Sequence, residues 1–153
     1  MKNMNGRHSE SDPVVNDPLT EKVIGCAIKI HRVLGPGFLE NIYHQALTHE
    51  LNKAGISYIS EARMKVKYDG IILGDYVADF LIDKRIVVEL KAIEVLLKTH
   101  EIQLVNYLCA IKFDLGLLIN FGGQKIQVKR KYRELNRGAT SSFEPHVLHV
   151  PPV

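Results

Sequence analysis

The sequence predicts an α/β sandwich, a single domain in which one mixed central β-sheet is flanked by helices. Three observations carry this. Two segments of helical periodicity come first. Three strand-like segments joined by tight-turn signals follow, and a further helix then leads into two more strands. With 153 residues the chain is long enough for one domain with a full core.

Residues 1–16 are polar and without periodicity, and are expected to be disordered. Asp17-Pro18 is a helix start, with Asp as cap and Pro at the first helical position. Val23, Ile24, Ala27, Ile30, His31 and Leu34 then recur at helical spacing, and Gly35-Pro36-Gly37 stops the helix. A second helix is predicted from Phe38 to Ala54, with Ile42, Ala46, Leu47, Glu50 and Leu51 along one broad side and Gly55 at its end. Strands are predicted over Ile56–Tyr68, Ile71–Ile82 and Ile86–Ile93, turning at Asp69-Gly70 and at Asp83-Lys84-Arg85. A helix is predicted from Leu97 to Ile111. Leu115–Asn120 reads as a short buried strand, and Gly122-Gly123 turns into a basic strand from Lys125 to Tyr132. The domain is expected over residues 17–136. The tail 137–153 contains Pro145, Pro151 and Pro152 and is expected to be flexible.

A hydrophobic fraction of 46% and a charged fraction of 24% describe an ordinary globular protein. No apolar run is long enough to span a bilayer and the N-terminus lacks the apolar core of a signal peptide, so a cytoplasmic, membrane-free protein is expected. Cys26 and Cys109 both fall in apolar helical patterns, which suits reduced core thiols rather than a disulfide framework or a zinc site. The net charge of +3 is compatible with a nucleic-acid partner. Lys125, Lys129, Arg130, Lys131, Arg133 and Arg137 cluster late in the chain. Two readings stand for them: a phosphate-binding stripe, or the guard of an edge strand.

The stretch Val87-Val88-Glu89-Leu90-Lys91-Ala92 puts two charges into the most apolar strand. A charge buried there costs several kcal/mol, roughly, unless it is paired or bound to a metal. With Lys84 at the centre of the preceding turn, Asp79 falls directly opposite Glu89, and Lys91 shares the face of Glu89. Two carboxylates held side by side invite a divalent cation such as Mg²⁺, which takes oxygen ligands. Such an ion polarises a phosphoryl oxygen and lowers the pKa of an attacking water, and Lys91 can steady developing charge. The plainer reading is an ion pair of Lys91 with Glu89 or Asp79 and no ligand at all.

Asp79 followed by Glu89-Leu90-Lys91 resembles the signature of the PD-(D/E)xK nuclease superfamily, with Ala78 in place of the usual Pro. Gly37-Phe38-Leu39-Glu40-Asn41-Ile42-Tyr43 resembles the motif of the GxxExxY family grouped with those nucleases. His100-Glu101-Ile102-Gln103-Leu104-Val105-Asn106-Tyr107 is similar to the QxxxY element of RecB-type members. The resemblance runs from about Thr20 to Arg130, with its elements in order. It implies a restriction-endonuclease-like core and a nuclease that cuts nucleic acid, DNA first of all, with Mg²⁺ or Mn²⁺. It implies Asp79, Glu89 and Glu40 as metal ligands, Lys91 as the catalytic lysine, and Gln103 and Tyr107 as supporting or substrate-contacting residues. Tyr43 and His100 join this second group, His100 because it lies one turn before Gln103.

Each residue also has a plain structural reading. Glu40 suits the first turn of a helix, Tyr43 and Tyr107 suit a core with a satisfied hydroxyl, and Gln103 suits a solvated face. A module that keeps the fold and binds without cutting is the rival function. A homodimer or a protein partner is left open, as are the choices between DNA and RNA and between single and double strands.

Overall fold

The computed structural model describes residues 17–133. The expected tails 1–16 and 137–153, residues 134–136 and Arg137 lie outside the described residues. Helix α1 spans Pro18–Leu34 and helix α2 Glu40–Lys53. Strands β1 (Tyr58–Tyr68), β2 (Ile71–Ile82) and β3 (Ile86–Lys91) follow, then α3 (Lys98–Ile111), β4 (Leu115–Asn120) and β5 (Gln127–Tyr132). The five strands form one sheet in the order β1-β2-β3-β4-β5. Only β3 and β4 pair in parallel, across the connection that holds α3. The sheet is therefore mixed, as the sequence predicts.

Asp17 caps α1: its Oδ1 accepts the Leu19 amide at 2.9 Å and the Thr20 amide at 3.4 Å. Arg85, in the turn between β2 and β3, pairs with the same carboxylate, and this holds its pKa below the ordinary range. That turn puts Asp83 and Lys84 at φ 50° and 56°, with the Arg85 amide donating to the Ile82 carbonyl at 3.0 Å. This is the primed geometry that suits the twist of a hairpin.

One face of the sheet packs on α1 and α2. Val23, Ala27, Tyr43, Leu47 and Leu51 meet Phe80, Ile82, Val88, Leu90, Leu117 and Ile119 there. The other face packs on α3, where Leu104 and Leu108 meet Ala62, Ala78, Val87 and Leu118. A Cβ added at Gly116 would lie 3.1 Å from both Leu104 Cδ2 and Leu108 Cδ1, so this glycine lets α3 sit close on β4. All six residues of β4 are buried, as the covered middle of a three-layer fold requires.

Several sequence expectations shift. Helix α2 begins at Glu40 rather than Phe38, because the Tyr43 hydroxyl occupies the connection: it donates to the Gly35 carbonyl at 2.6 Å and accepts from the Phe38 amide at 3.2 Å. The buried stripe of α2 is Tyr43, Leu47 and Leu51, with Ile42 turned outward and Glu50 ion-paired to Lys29 at 3.1 Å. Strand β3 ends at Lys91 rather than Ile93, because a side chain rather than a strand takes the Ile93 backbone, as described below. Strand β5 begins at Gln127 rather than Lys125.

The basic strand is partly neutralised, with no ion pair for Lys125 or Lys129 among the described residues. Arg130 pairs with Glu21, Lys131 with Glu101 at 3.0 Å and Arg133 with Asp114 at 2.6 Å. The guarded, structural reading of these cations is the one the contacts favour. Both cysteines are free and half-buried. No helix among the described residues is long and apolar enough to cross a membrane.

Candidate active site

Strand β3 delivers Glu89 and Lys91 to the face that α3 covers, two and four residues beyond Val87, which packs on that helix. The regular pairing of β2 with β3 ends at Phe80–Val88. The direct ladder pair of Asp79 with Glu89 expected from the turn register therefore does not form. Ala78 packs on the α3 side while Phe80 packs on the α1/α2 side, so the chain turns over at Asp79. Glu61, its neighbour on β1, has φ 50° and drops out of the β1–β2 register. The Asp79 carboxylate substitutes for the lost ladder by accepting the Leu90 amide on Oδ2 at 2.6 Å. The two strands splay beyond this point.

The splay opens a cleft of about 220 Å³ between β2, β3 and α3. Glu89, Lys91, His100, Gln103 and Tyr107 all line it. Gln103 and Tyr107 share a face of α3 because they lie four residues apart. Glu40, at the start of α2, and Asp79, whose carbonyl lies by His44 of α2, are not among the lining residues. Their charges are coupled to each other and to Glu89 and Lys91. Tyr43 does not reach the cleft. It is fully buried, stacks on Phe121 at 4.6 Å and pins the Gly35–Phe38 turn that leads into Glu40.

Three further residues shape the site. The Tyr76 hydroxyl donates to Glu89 Oε1, and its ring stacks on Tyr107 at 4.2 Å. Burial, then the Glu89 charge, push the Tyr76 phenol far above its ordinary pKa, so it remains a donor. His44, one turn after Glu40, stacks on Phe80 at 4.4 Å with Nε2 3.3 Å from the Asp79 carbonyl. Asn120 is fully buried and clasps Ile93: its Oδ1 accepts the Ile93 amide at 3.0 Å and its Nδ2 donates to the Ile93 carbonyl at 2.9 Å. It thereby fixes the chain just past Lys91. An amide closing the apolar run Leu115–Asn120 is a signal the sequence does carry. Nothing in the sequence marks Tyr76, and His44 is marked only by falling on the helix one turn after Glu40.

The electrostatics are short of positive charge. Burial, then the charge of Asp79, raises the Glu40 pKa, with Lys91 opposing. Burial also raises Asp79, against the Leu90 hydrogen bond. Burial lifts Glu89 to about 7, despite the Tyr76 hydrogen bond. Burial and Lys91 lower the His100 pKa. His100 Nδ1 accepts the Leu97 amide at 3.0 Å, which leaves the proton of the neutral ring on Nε2.

Three carboxyls beside one ammonium form a set of hard oxygen donors that suits a divalent cation of the Mg²⁺ type. Tyr76 occupies one oxygen of Glu89 and Leu90 one oxygen of Asp79, and the second oxygen of each accepts no hydrogen bond from the described residues. Among the described residues, no three His, Cys, Asp or Glu side chains are close enough to hold an ion as they stand. The donors fit such an ion by chemistry and charge, and loading it requires the carboxylates to draw together.

Comparison with known proteins agrees with this architecture. A family model described as the PD-(D/E)XK nuclease superfamily matches residues 17–132. The chain is similar to a solved structure titled "Crystal structure of SSO0001", at 23% identity and a TM-score of 0.50. That alignment covers 63% of this chain and 50% of the other, so this chain spans about half the length of that one, and at such identity the likeness concerns the fold alone. No curated protein matches the chain. The family match runs from the cap of α1 to the end of β5 and takes in every element that builds the cleft, and the chain therefore belongs to the PD-(D/E)XK nuclease superfamily.

Proposed function

We propose that this domain hydrolyses phosphodiester bonds of nucleic acid, DNA in the first place, with Mg²⁺ or Mn²⁺. The observation that carries the reading is that Glu89 and Lys91 line the cleft where β2 and β3 splay, with Asp79 bonded to the Leu90 amide between them and Glu40 near enough for its charge to act on Glu89. Nucleases of this superfamily generally use divalent metals. Such an ion supplies polarisation of a phosphoryl oxygen and a lowered pKa for the attacking water. Asp79 and Glu89 would hold it through their second oxygens, with Glu40 completing or tuning the set.

The Lys91 ammonium sets positive charge beside the scissile phosphate, where negative charge grows in the transition state. Tyr76 fixes one Glu89 oxygen. His100 offers a neutral Nε2–H donor to the cleft, and Gln103 and Tyr107 line the side where substrate enters. The Gly37–Tyr43 stretch supports placement in the GxxExxY group. In that motif Tyr43 locks the glycine turn that aims Glu40.

One observation favours a second reading, a module that binds nucleic acid without cutting it: the described residues hold no preassembled three-donor cage. A cleavage assay separates the two. Labelled single- and double-stranded DNA and RNA are incubated with the protein and Mg²⁺, Mn²⁺ or EDTA, beside Lys91→Ala. The expected result is metal-dependent cleavage that the variant slows by about 10²–10³-fold. Equal cleavage by wild type and Lys91→Ala would remove the assigned role.

A further inference from the structure

The β1–β2 hairpin runs past the point where β2 leaves β3. Pairing of β2 with β3 stops at Phe80–Val88, whereas β1 and β2 stay paired out to Tyr68–Ile71. Residues 63–77 therefore form a two-stranded arm. Met64, Val66 and Tyr76 turn one face of it toward α3. The opposite face carries Arg63, Lys65 and Lys67 at alternate positions, all exposed, in register with Val77, Asp75 and Ile72. The register shifts after Val66, and Leu73 is the extra residue on β2. Near the tip, Ile71, Ile72 and Leu73 follow one another at 64%, 52% and 63% exposure, with Tyr68 paired to Ile71. A contiguous apolar tip of this kind marks a contact surface.

We propose that this arm holds the substrate strand at single-stranded or unpaired nucleotides; the proposal rests on the nuclease reading of the cleft. Charge complementarity argues for a nucleic acid. Asp75, in register with Lys65, lies 3.6 Å from Arg63. Lys65 and Lys67 make no ion pair among the described residues, unlike Arg130 and Lys131 on β5 and Arg133 just after it. Alternate strand residues recur every 6.8 Å or so, which is about two base steps of a stacked strand.

Continuity argues for the same occupant. Asp75 and Val77, in register with the basic residues, also line the cleft along the edge of β2 that β3 has left, so a strand lying on the arm reaches Glu89 and Lys91 by passing round that edge. The apolar tip calls for exposed bases, which a regular duplex hides and an end or unpaired region offers.

The test is fluorescence anisotropy with labelled single-stranded and blunt duplex DNA over a salt series, with EDTA present to prevent turnover. The variants are Lys65→Ala/Lys67→Ala and Ile72→Ser/Leu73→Ser, all at exposed positions. The wild type is expected to prefer the single strand. The lysine variant is expected to bind about 10-fold more weakly, with the slope of log K against log salt reduced by about 1.4 for two lost phosphate contacts. The tip variant is expected to lose the preference for single strands.

Binding by both variants equal to the wild type would overturn the proposal, and so would a wild type that binds neither DNA. A tip variant that turns a dimer into a monomer in sedimentation, with DNA affinity unchanged, would assign the arm to a second copy of the chain and also overturn it. Cleavage distinguishes the two layers of the argument. If the arm variants cut like the wild type while Lys91→Ala does not cut, the arm fails and the cleft reading stands. Arm-dependent binding with no cleavage under Mg²⁺ or Mn²⁺ keeps the arm and removes the nuclease reading.

Discussion

Glu89→Gln is expected to make the metal-free protein more stable at pH 8 while abolishing the proposed metal-dependent cleavage. In the fold, burial raises the Glu89 pKa from the ordinary 4.5 to about 7. The folded state thus binds this proton more tightly than the unfolded state. The stability linked to it is fully present below about pH 4.5 and is lost as the pH rises through 7. A shift of this size corresponds to about 3 kcal/mol at pH 8. Glutamine keeps an acceptor for the Tyr76 hydroxyl and removes the buried charge. Thermal melts in EDTA should therefore show the variant ahead of the wild type at pH 8, with the gap closing by pH 5. A variant less stable than the wild type at pH 8 would mean that Glu89 is held by positive charge the cleft does not show. Asp17 runs the other way: Arg85 lowers its pKa, so its contribution is present above the ordinary carboxyl range and is lost on acidification.

Gly122→Ala is expected to destabilise the fold by about 3 kcal/mol and to disable the site from behind. A Cβ at Gly122 would sit 2.6 Å from the Ala92 carbonyl carbon and closer still to the Ile93 backbone N and O. Asn120 already holds the Ile93 N–H and carbonyl, two residues past Lys91. Gly25→Ala provides the contrast. Gly25 lies inside α1 with nothing within 4 Å of an added Cβ. There the same substitution should stabilise by about 0.5–1 kcal/mol. Denaturant unfolding of the two variants beside the wild type checks both signs.

The order of the elements is legible in the sequence because each has a local signal: Asp17-Pro18, Gly35-Pro36-Gly37, Asp69-Gly70 and the apolar run of β4. The centre of the second hairpin at Lys84 is legible too, since Ile82 pairs with Ile86. The site is legible as a list of residues but not as a geometry. Asp79 leaves the ladder because the chain turns over beside Glu61 on the neighbouring strand, a tertiary event with no residue pattern of its own. Tyr76 meets Glu89 only because of how β2 and β3 splay. Tyr43 reads equally well as substrate contact or as core, and only its burial and its bonds to Gly35 and Phe38 separate the two. The basic strand is legible as charge, whereas its carboxylate partners come from α1, α3 and the residue before β4.

Asp79, Glu89 and Glu40 are proposed to share one divalent cation. The first measurement is isothermal titration of Mn²⁺ into the 153-residue chain at pH 7, in two buffers of different protonation enthalpy. The expected result is one site per chain and a heat that depends on the buffer, because binding displaces the proton held by Glu89. That site should be lost in Glu89→Gln and in Asp79→Asn. No binding by the wild type, or binding that survives both substitutions, would contradict the account.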